Sequence, residues 1–459
     1  MEQLLNQGLD MALAGGAEYA ELTAVEIEEK KLHMQNARLA SSGKREAGIS
    51  VRLIAGGRWG FAAAPAASKT NLSRLVKAAL EGARVKPPPP FPVGLSTIIP
   101  ARGSWTGPCA IDPFAISDSQ LAELLVAADQ AMDIEGIGLR QGSLHFRREQ
   151  RHYINSEGSS NFQIFTLSGG GITALAFGEG EMQQRSWPAP GGSYAGAGNE
   201  YIEELDLPGH GRKIAQEAVA LTKAPPCPQG VLDLILAGPL LASQVHYTLG
   251  YKLQLDAPGC IASEVSDKLR LASPHFNLFS DAALPGGAGS YGFDAEGAKA
   301  QSVPLVEKGK IVNYLSGRET AAAVGRFSSG NMRSGSWLDP PVPWMANLVV
   351  QPGTCSLAEL AEGIERGILL DTPRSFGACP RLRSFAAQAE LAWLIEDGVI
   401  IHMLKNPFYR GNIVAFWNGC DAAASAAHQR TLGLLDKGIA VGHRVVPVRI
   451  RGVRAGDGR

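Results

Sequence analysis

Apolar and polar residues alternate along the first part of the chain in a pattern that predicts two helices and three strands. Apolar positions at helical spacing predict a helix over 2–14, which a pair of glycines ends. A strand is predicted over 20–29, and a hairpin over 48–62 turns at a second pair of glycines. A second amphipathic helix over 69–83 precedes four consecutive prolines at 87–90. These prolines indicate a stiff linker, because proline continues neither a helix nor a central strand.

The middle of the chain combines helical periodicity with longer strand-like patterns. The predicted elements are a helix near 117–132, strands over 144–155, 161–167 and 172–177, and a helix around 211–223. A cluster of three glycines, 169–171, is expected to separate the last two strands. The segment 224–230 contains three prolines and predicts a second linker.

The last part of the chain begins with an apolar strand over 231–236, which leads into a helix that carries His246. Two later stretches alternate around short glycine-containing turns and predict hairpins. The hairpins are 303–315, turning at Lys308-Gly309, and 391–403, turning at Asp397-Gly398.

These patterns predict an α+β fold, a β-rich multi-domain chain in which helices cover mixed and antiparallel sheets. The expected divisions are an N-terminal α/β domain at 1–86, a Pro-rich linker at 87–116, a central α+β domain at 117–223, a linker at 224–230 and a β-rich C-terminal domain at 231–455.

Composition narrows the class of partner. The chain has 459 residues, and 43 basic against 44 acidic residues give a net charge of -1, so it has no electrostatic bias toward nucleic acid or anionic membrane. No apolar run approaches the ~20 residues of a spanning helix. The six cysteines stand singly, which indicates neither a disulfide framework nor a zinc ribbon. We therefore expect a cytoplasmic protein that binds neither nucleic acid nor membrane.

The helix around His246 resembles a zinc-protease helix that has lost its chemistry. An H-E-x-x-H helix places two imidazoles on one face, with a glutamate that activates water. Here Tyr247 follows the histidine in place of glutamate, and Tyr251, one residue beyond the second histidine of that spacing, is also a phenol. One imidazole and two phenols do not make a zinc site, so a histidine packed on a helix face is the expected structural role.

Two other motifs have a structural and a functional interpretation. The segment 287–292 fits G-x-G-x-x-G, but neither a preceding strand nor a following helix is predicted, so a glycine-rich loop is expected. Asp294 and Glu296 are able to ligate a cation or cap a turn. We expect them to be solvated carboxylates of a turn.

Several segments, in their order along the chain, resemble the TldD/PmbA (TldD/TldE) family. They are 16–21, the hairpin 48–61, 153–158, 238–256, 294–297, 345–347 and the hairpin at 397–398. The resemblance implies a heteromeric protease in which a TldD-type chain carries zinc and a PmbA/TldE-type chain pairs with it. It also implies that unstructured peptides, including precursors that lose a leader, enter an enclosed chamber.

The family's catalytic chain carries H-E-x-x-x-H and a cysteine ligand near the C-terminus. The resemblance places His246 at the first histidine, Tyr247 at the glutamate, Tyr251 at the second histidine and Leu435 at the cysteine. Losing two of three ligands and the general base leaves no expected catalytic or metal-binding residue. The remaining family positions, with a groove or loop role, are Gly250, Asp256, Asp294 and Glu296.

The resulting hypothesis is a pseudoenzyme with a degenerate HExxxH, a PmbA/TldE-like subunit without its own cofactor that takes part in peptide maturation. Its expected partner is a TldD-like zinc-bearing subunit or a second copy of the chain, and its substrate is an unstructured peptide. One alternative is an active metallopeptidase with a rebuilt metal site, which would need His246 close to another histidine or acid. The other alternative is a peptide-binding scaffold homodimer.

Overall fold

Long strands from the first half of the chain form one large sheet. The computed structural model describes residues 1–65, 68–85, 92–178, 180–255, 270–379 and 383–458. The strands of this sheet are β1 (Tyr19–Gln35), β2 (Arg38–Ala55), β3 (Arg58–Pro65), β4 (Arg102–Thr106), β5 (Ile137–Asn155), β6 (Ser160–Gly178), β7 (Glu181–Trp187) and β8 (Ser193–Ala195). Their order is β3-β2-β1-β5-β6-β4, with β7 and β8 also paired to β6.

The pairing of β1 with β5 joins the first segment to the middle of the chain. These strands are antiparallel from Glu21 opposite Asn155 to Gln35 opposite Gln141. Strand β4 lies within residues 87–116, the predicted linker, and it joins the sheet by pairing in parallel with β6. The strands that the sequence assigns to separate segments therefore share one hydrogen-bonded layer.

Helices cover this sheet at two places and form two cores. The helices are α1 (Glu2–Ala14), α2 (Lys69–Val85), α3 (Asp118–Ala131), α4 (Glu200–Leu205) and α5 (Leu207–Lys223). The pair α1 and α2 buries Leu5 and Leu72 against Leu22 of β1, whereas α3 and α5 bury Leu121 and Ile214 in a second cluster. The helices predicted over 2–14, 69–83 and 117–132 are confirmed, and capping of α3 by Ser117 explains its start.

The glycine cluster 169–171 does not separate two strands, so that prediction was wrong. The cluster lies inside the continuous strand β6. A Cβ on Gly169 would lie 2.2 Å from Cδ1 of Tyr194, and one on Gly171 would lie 2.4 Å from Cα of Gly192. Glycine is needed here because β8 and the preceding turn approach β6 too closely for any side chain.

The second half of the chain forms two further layers. A nine-stranded sheet has the order β17-β18-β21-β25-β9-β16-β19-β20, with β22 paired to β25, and a six-stranded sheet has the order β12-β11-β10-β15-β24-β23. Strands β13 and β14 form a separate two-stranded sheet. Both predicted hairpin turns are confirmed: the central residues Lys308-Gly309 and Asp397-Gly398 all have positive φ, as a tight two-residue turn requires.

The bounds of these elements are as follows. The strands are β9 (Gly230–Leu236), β10 (Leu278–Asp281), β11 (Ser302–Glu307), β12 (Lys310–Ile311), β13 (Met332–Arg333), β14 (Val342–Pro343), β15 (Asn347–Val350), β16 (Arg366–Leu370), β17 (Pro373–Cys379), β18 (Ser384–Ala389), β19 (Ala392–Glu396), β20 (Val399–Leu404), β21 (Pro407–Asn412), β22 (Cys420–Ala423), β23 (Arg430–Asp436), β24 (Ile439–Val445) and β25 (Val448–Asp457). The helices are α6 (Gly238–Val245), α7 (Arg318–Ala323), α8 (Leu357–Glu362) and α9 (Ile413–Asn418).

The architecture confirms the α+β class predicted from the sequence. The largest core extends from α6 to strands of both C-terminal sheets and includes Leu241, Val245, Leu278 and Ile368. Among the helices of the described residues, none combines the length and apolarity that crossing a bilayer demands.

Asp294 and Glu296 are not solvated turn carboxylates, so that expectation was wrong. Their exposed fractions are 2% and 1%. Asp294 accepts hydrogen bonds from the backbone N–H groups of Glu296, Ala298 and Met332 and so organises its own turn. Burial and the neighbouring Glu296 raise the pKa of Asp294 to about 7.

Glu296 connects the C-terminal part of the chain to the large sheet through Arg52. The Arg52 Nη1 donates to Glu296 Oε1 and to Glu21 Oε1, both at 2.9 Å. The other oxygen of Glu21 accepts from the hydroxyls of Tyr19 and Tyr153. Burial raises the pKa of the Glu21 carboxyl, although Arg52 opposes that shift. One guanidinium thus holds two buried carboxylates from distant parts of the sequence.

Replacing this guanidinium should destabilise the whole chain. Arg52→Met leaves both carboxylates buried without a counter-charge, so we expect a loss of about 3–5 kcal/mol in the free energy of unfolding, measured by urea denaturation. Arg45→Met is the matched control, because the Arg45 side chain is 82% exposed in its ion pair with Glu28. That control should lose less than about 1 kcal/mol. Equal losses in the two variants would contradict the structural role of Arg52.

Candidate functional site

The helix that carries His246 changes its geometry where the family motif lies. Helix α6 follows β9 directly and has Pro239 in its first turn, a position that proline favours. After Val245 the chain continues as a π-helical turn over His246–Gly250 and a 3₁₀ turn over Tyr251–Leu253. Turns of π-helix are rare in proteins, and those that occur are frequently found at functional sites.

Gly250 lets this turn pack closely on β15. A Cβ there would lie 2.1 Å from Sδ of Met345 and 3.0 Å from Cδ1 of Leu348. Gly250 is buried, so it serves packing beneath the site and does not line an open groove. Asp256, the other motif position with an expected groove or loop role, lies outside the described residues.

His246 is fully buried and both of its ring nitrogens have partners. Its Nε2 lies 3.1 Å from Oδ2 of Asp436, and its Nδ1 lies 3.2 Å from Nε2 of His443. Both contacts are satisfied when His443 donates from Nε2 to His246 and His246 donates from Nε2 to Asp436. The Nδ1 of His443 is then a buried acceptor without a hydrogen bond in the described part of the chain.

Asp436 is the anion of this cluster. Tyr251 donates its hydroxyl to the same Oδ2, at 2.7 Å. Burial opposes ionisation of Asp436, but the hydrogen bonds from His246 and Tyr251 outweigh it and hold its pKa below the ordinary value. Burial and the hydrogen bond to Asp436 raise the pKa of Tyr251, so the phenol stays protonated. The ammonium of Lys437 lies 5.5 Å from the centre of the Tyr251 ring.

Tyr247 is the part of the cluster that reaches the surface, with an exposed fraction of 36%. Its ring stacks on Phe376 of β17 at 5.1 Å between centroids and lies parallel to Tyr251 at 5.9 Å. Burial raises the pKa of Tyr247, and nearby Asp436 adds to the shift. The site therefore presents aromatic surface and a protonated phenol rather than an ionised base.

The side chains of this cluster do not fit a zinc ion. Zinc needs donor atoms that converge on one point at about 2.0–2.3 Å. Asp436 and His443 approach opposite nitrogens of the His246 ring, so no single point faces all three groups. Over the described ranges, no group of three His, Cys, Asp or Glu side chains is arranged to hold a metal.

Leu435 directly precedes Asp436 in the sequence, but its side chain lies on the opposite face of the strand. Consecutive side chains of a strand point to opposite faces. Asp436 of β23 reaches His246, whereas Leu435 lines a cavity on the other side of the hairpin. The structure thus brings His246, Tyr247 and Tyr251 together and adds Asp436, the sequence neighbour of the Leu435 that the family resemblance places at the cysteine.

Sequence reasoning missed Asp436 and His443 as partners of His246. Strand β24 carries His443 and pairs with β15 in parallel and with β23 in antiparallel register. The turn between β23 and β24 was a detectable signal, because Asp436, Lys437 and Gly438 precede an apolar strand pattern. Nothing in the local sequence of His443 indicates that it faces a helix nearly two hundred residues earlier.

Burial of a neutral His443 predicts a specific pH dependence of stability. Burial and nearby His246 lower the pKa of His443 well below the ordinary value. The unfolded chain then binds a proton below about pH 6.5 that the folded chain does not, so stability falls with falling pH at up to about 1.4 kcal/mol per unit. The measurement is the free energy of unfolding in urea, taken from about pH 7 to pH 5. His443→Gln should make this free energy fall less steeply with falling pH. His402→Gln, at an exposed position, is the control and should leave the slope unchanged. Identical slopes for wild type and His443→Gln would refute this assignment.

Family models match three consecutive parts of the chain. The PmbA/TldA metallopeptidase domain 1 matches residues 20–83, the central domain matches 111–224, and the C-terminal domain matches 229–455. A metalloprotease of Methanothermobacter thermautotrophicus is 28% identical over 419 residues, which cover 90% of each chain.

Solved structures share the whole fold. A protein of Thermotoga maritima, described as a modulator of DNA gyrase, has a TM-score of 0.82 at 16% identity and covers 99% of both chains. TldE of Thermococcus kodakarensis has a TM-score of 0.76 at 18% identity, again over 99% of both chains. The family resemblance inferred from the sequence is confirmed, and the chain belongs to the TldD/PmbA family of metallopeptidases.

Proposed function

We propose that this chain is a non-catalytic, TldE-like subunit of a cytoplasmic peptide-processing assembly whose zinc is carried by a TldD-type partner. One observation carries the proposal: His246, at the position of the family's first zinc ligand, is buried with both nitrogens hydrogen-bonded to Asp436 and His443. The positions of the general base and second ligand hold Tyr247 and Tyr251. This hydrogen-bonded network takes the place of metal ligands.

The chemistry of the cluster supports this role. A general base works best when its pKa lies near the operating pH. Asp436 has a pKa held below its ordinary value, and its Oδ2 already accepts from His246 and Tyr251. The exposed Tyr247 offers a hydroxyl and an aromatic face, which suit contact with a peptide or with a partner subunit. The cluster is therefore suited to binding rather than to water activation.

A second candidate function is a metallopeptidase with a rebuilt site. The observation in its favour is that His443 and Asp436 both lie within 3.2 Å of His246, which supplies the chemical types that zinc prefers. Binding a metal would require His246 to exchange one of its hydrogen bonds and the other side chains to move to the same side of the ring. The opposed arrangement favours the first proposal.

Metal content distinguishes these candidates. The purified, untagged chain is exposed to zinc, freed of excess and analysed by mass spectrometry, with a family member that carries intact H-E-x-x-x-H as positive control. We expect far less than one zinc per chain and no hydrolysis of an unstructured peptide by the chain alone, since the donors do not converge. About one zinc per chain, lost in His246→Ala, would establish the second candidate instead.

Partner dependence tests the positive part of the proposal. The chain is mixed with an intact TldD-type chain from the same source, and complex formation is measured by analytical ultracentrifugation alongside peptide hydrolysis. We expect a complex in which hydrolysis exceeds that of the TldD-type chain alone. Tyr247→Ala should weaken assembly or turnover, whereas His402→Ala, also at an exposed position, should not. Failure of the two chains to associate would disprove the subunit role.

A further inference from the structure

A cavity lies between the large sheet and the β23–β24 hairpin, on the side of the hairpin away from His246. Its volume is about 70 Å³. Its walls include Trp105, Phe165, Tyr291, Leu435 and Ala440, and its polar lining includes Arg333. Because a water-sized group needs roughly 10–15 Å³, the cavity accommodates a small organic group.

Arg333 provides a positive charge with unused donors at this cavity. Its guanidinium donates to the carbonyl oxygens of Gly289 at 3.2 Å and of Met345 and Ala440 at 3.1 Å. It also lies 4.7 Å from the ring centre of Tyr291. Three N–H groups are thereby occupied, and the Nε–H and the second Nη2–H have no acceptor among the described residues. No described carboxylate forms an ion pair with Arg333.

The other two arginines that line the cavity are already paired. Arg147 and Arg151 both donate to Glu149, each at 3.0 Å, from Nη2 and Nε respectively. Burial opposes ionisation of Glu149, but Arg151 and Arg147 outweigh it and lower its pKa to about 2. Asp294, the other acid of the lining, accepts from two backbone N–H groups of its own turn and from the backbone N–H of Met332. The charge without a partner is therefore that of Arg333.

Carbonyl oxygens hold a guanidinium in place without neutralising it. Arginine presents its N–H groups in a planar fork that matches the two oxygens of a carboxylate. A phosphate would bring a larger group with up to two negative charges, whereas this cavity is small, has aromatic and aliphatic walls and offers one unpaired cation. The size, the walls and the charge together match a single carboxylate on a short apolar group.

We infer that this cavity binds a carboxylate through Arg333, with the short apolar group beside it against Trp105, Phe165 and Tyr291. The carboxylate belongs either to a small free acid or to the C-terminal residue of a peptide, since both present the same group. The inference does not depend on the proposed role of the chain in a protease.

Binding is tested on the full chain by saturation-transfer NMR at constant ionic strength, with sodium acetate as probe and acetamide as its uncharged match. We expect saturable transfer to acetate and none to acetamide. N-acetylglycylalanine and its C-terminal amide form the second pair. Tighter binding of the peptide acid than of acetate assigns the site to peptide C-termini, and binding of acetate alone assigns it to small free acids.

Two variants locate the binding. Arg333→Gln removes the positive charge. Ala440→Leu fills the cavity but keeps the backbone carbonyl that accepts a hydrogen bond from Arg333. Each variant should weaken acetate binding at least about tenfold, since a charged hydrogen bond is lost or blocked. Arg74→Gln, at an exposed arginine of α2, is the control and should leave binding unchanged. If Arg333→Gln does not fold, as circular dichroism would show, Ala440→Leu decides alone. Equal transfer to acetate and acetamide, or unchanged acetate binding in Ala440→Leu, overturns the inference.

Discussion

The arrangement of this protein depends on one buried cation, Arg52, between two carboxylates that the chain brings from opposite parts of its length. Glu21 belongs to the first strand of the large sheet, whereas Glu296 belongs to a turn of the C-terminal part. Glu296 also accepts from the backbone N–H of Arg318, whose side chain donates to the backbone carbonyl of Ser96. Because unpaired buried charges are costly, these contacts fix the sheet relative to the turn. The cavity lined by Trp105 and Leu435 lies between the two parts that this contact joins.

The cluster around His246 supplies a hydrogen-bond partner to each nitrogen of a buried imidazole. Its imidazole would be destabilising if buried without hydrogen bonds. Asp436 and His443 supply partners on both edges of the ring, and Tyr251 adds a donor to Asp436. Within the described residues the Nδ1 of His443 is left without a hydrogen bond, and Tyr247 is the exposed aromatic neighbour of the network. Such a network rigidifies the end of the helix and leaves the aromatic ring of Tyr247 at the surface.

The β23–β24 hairpin separates two environments of different chemistry. On one face Asp436 supplies a negative charge to His246, and on the other Leu435 borders a cavity where Arg333 supplies a positive charge. Strand alternation alone places these neighbours on opposite faces.

The sequence by itself determined the elements whose signals are local. Helical periodicity predicted the helix at 2–14, turn residues predicted the hairpins at 308–309 and 397–398, and motif spacing brought His246 and Tyr251 together. Only the tertiary structure decided the burial of Asp294 and Glu296, the continuity of β6 through 169–171, and the partners Asp436 and His443. A turn carboxylate looks the same in sequence whether it faces water or a distant guanidinium. A glycine cluster likewise looks the same whether it ends a strand or admits a close neighbour. These outcomes depend on contacts between residues far apart in the chain, and local periodicity carries no information about such contacts.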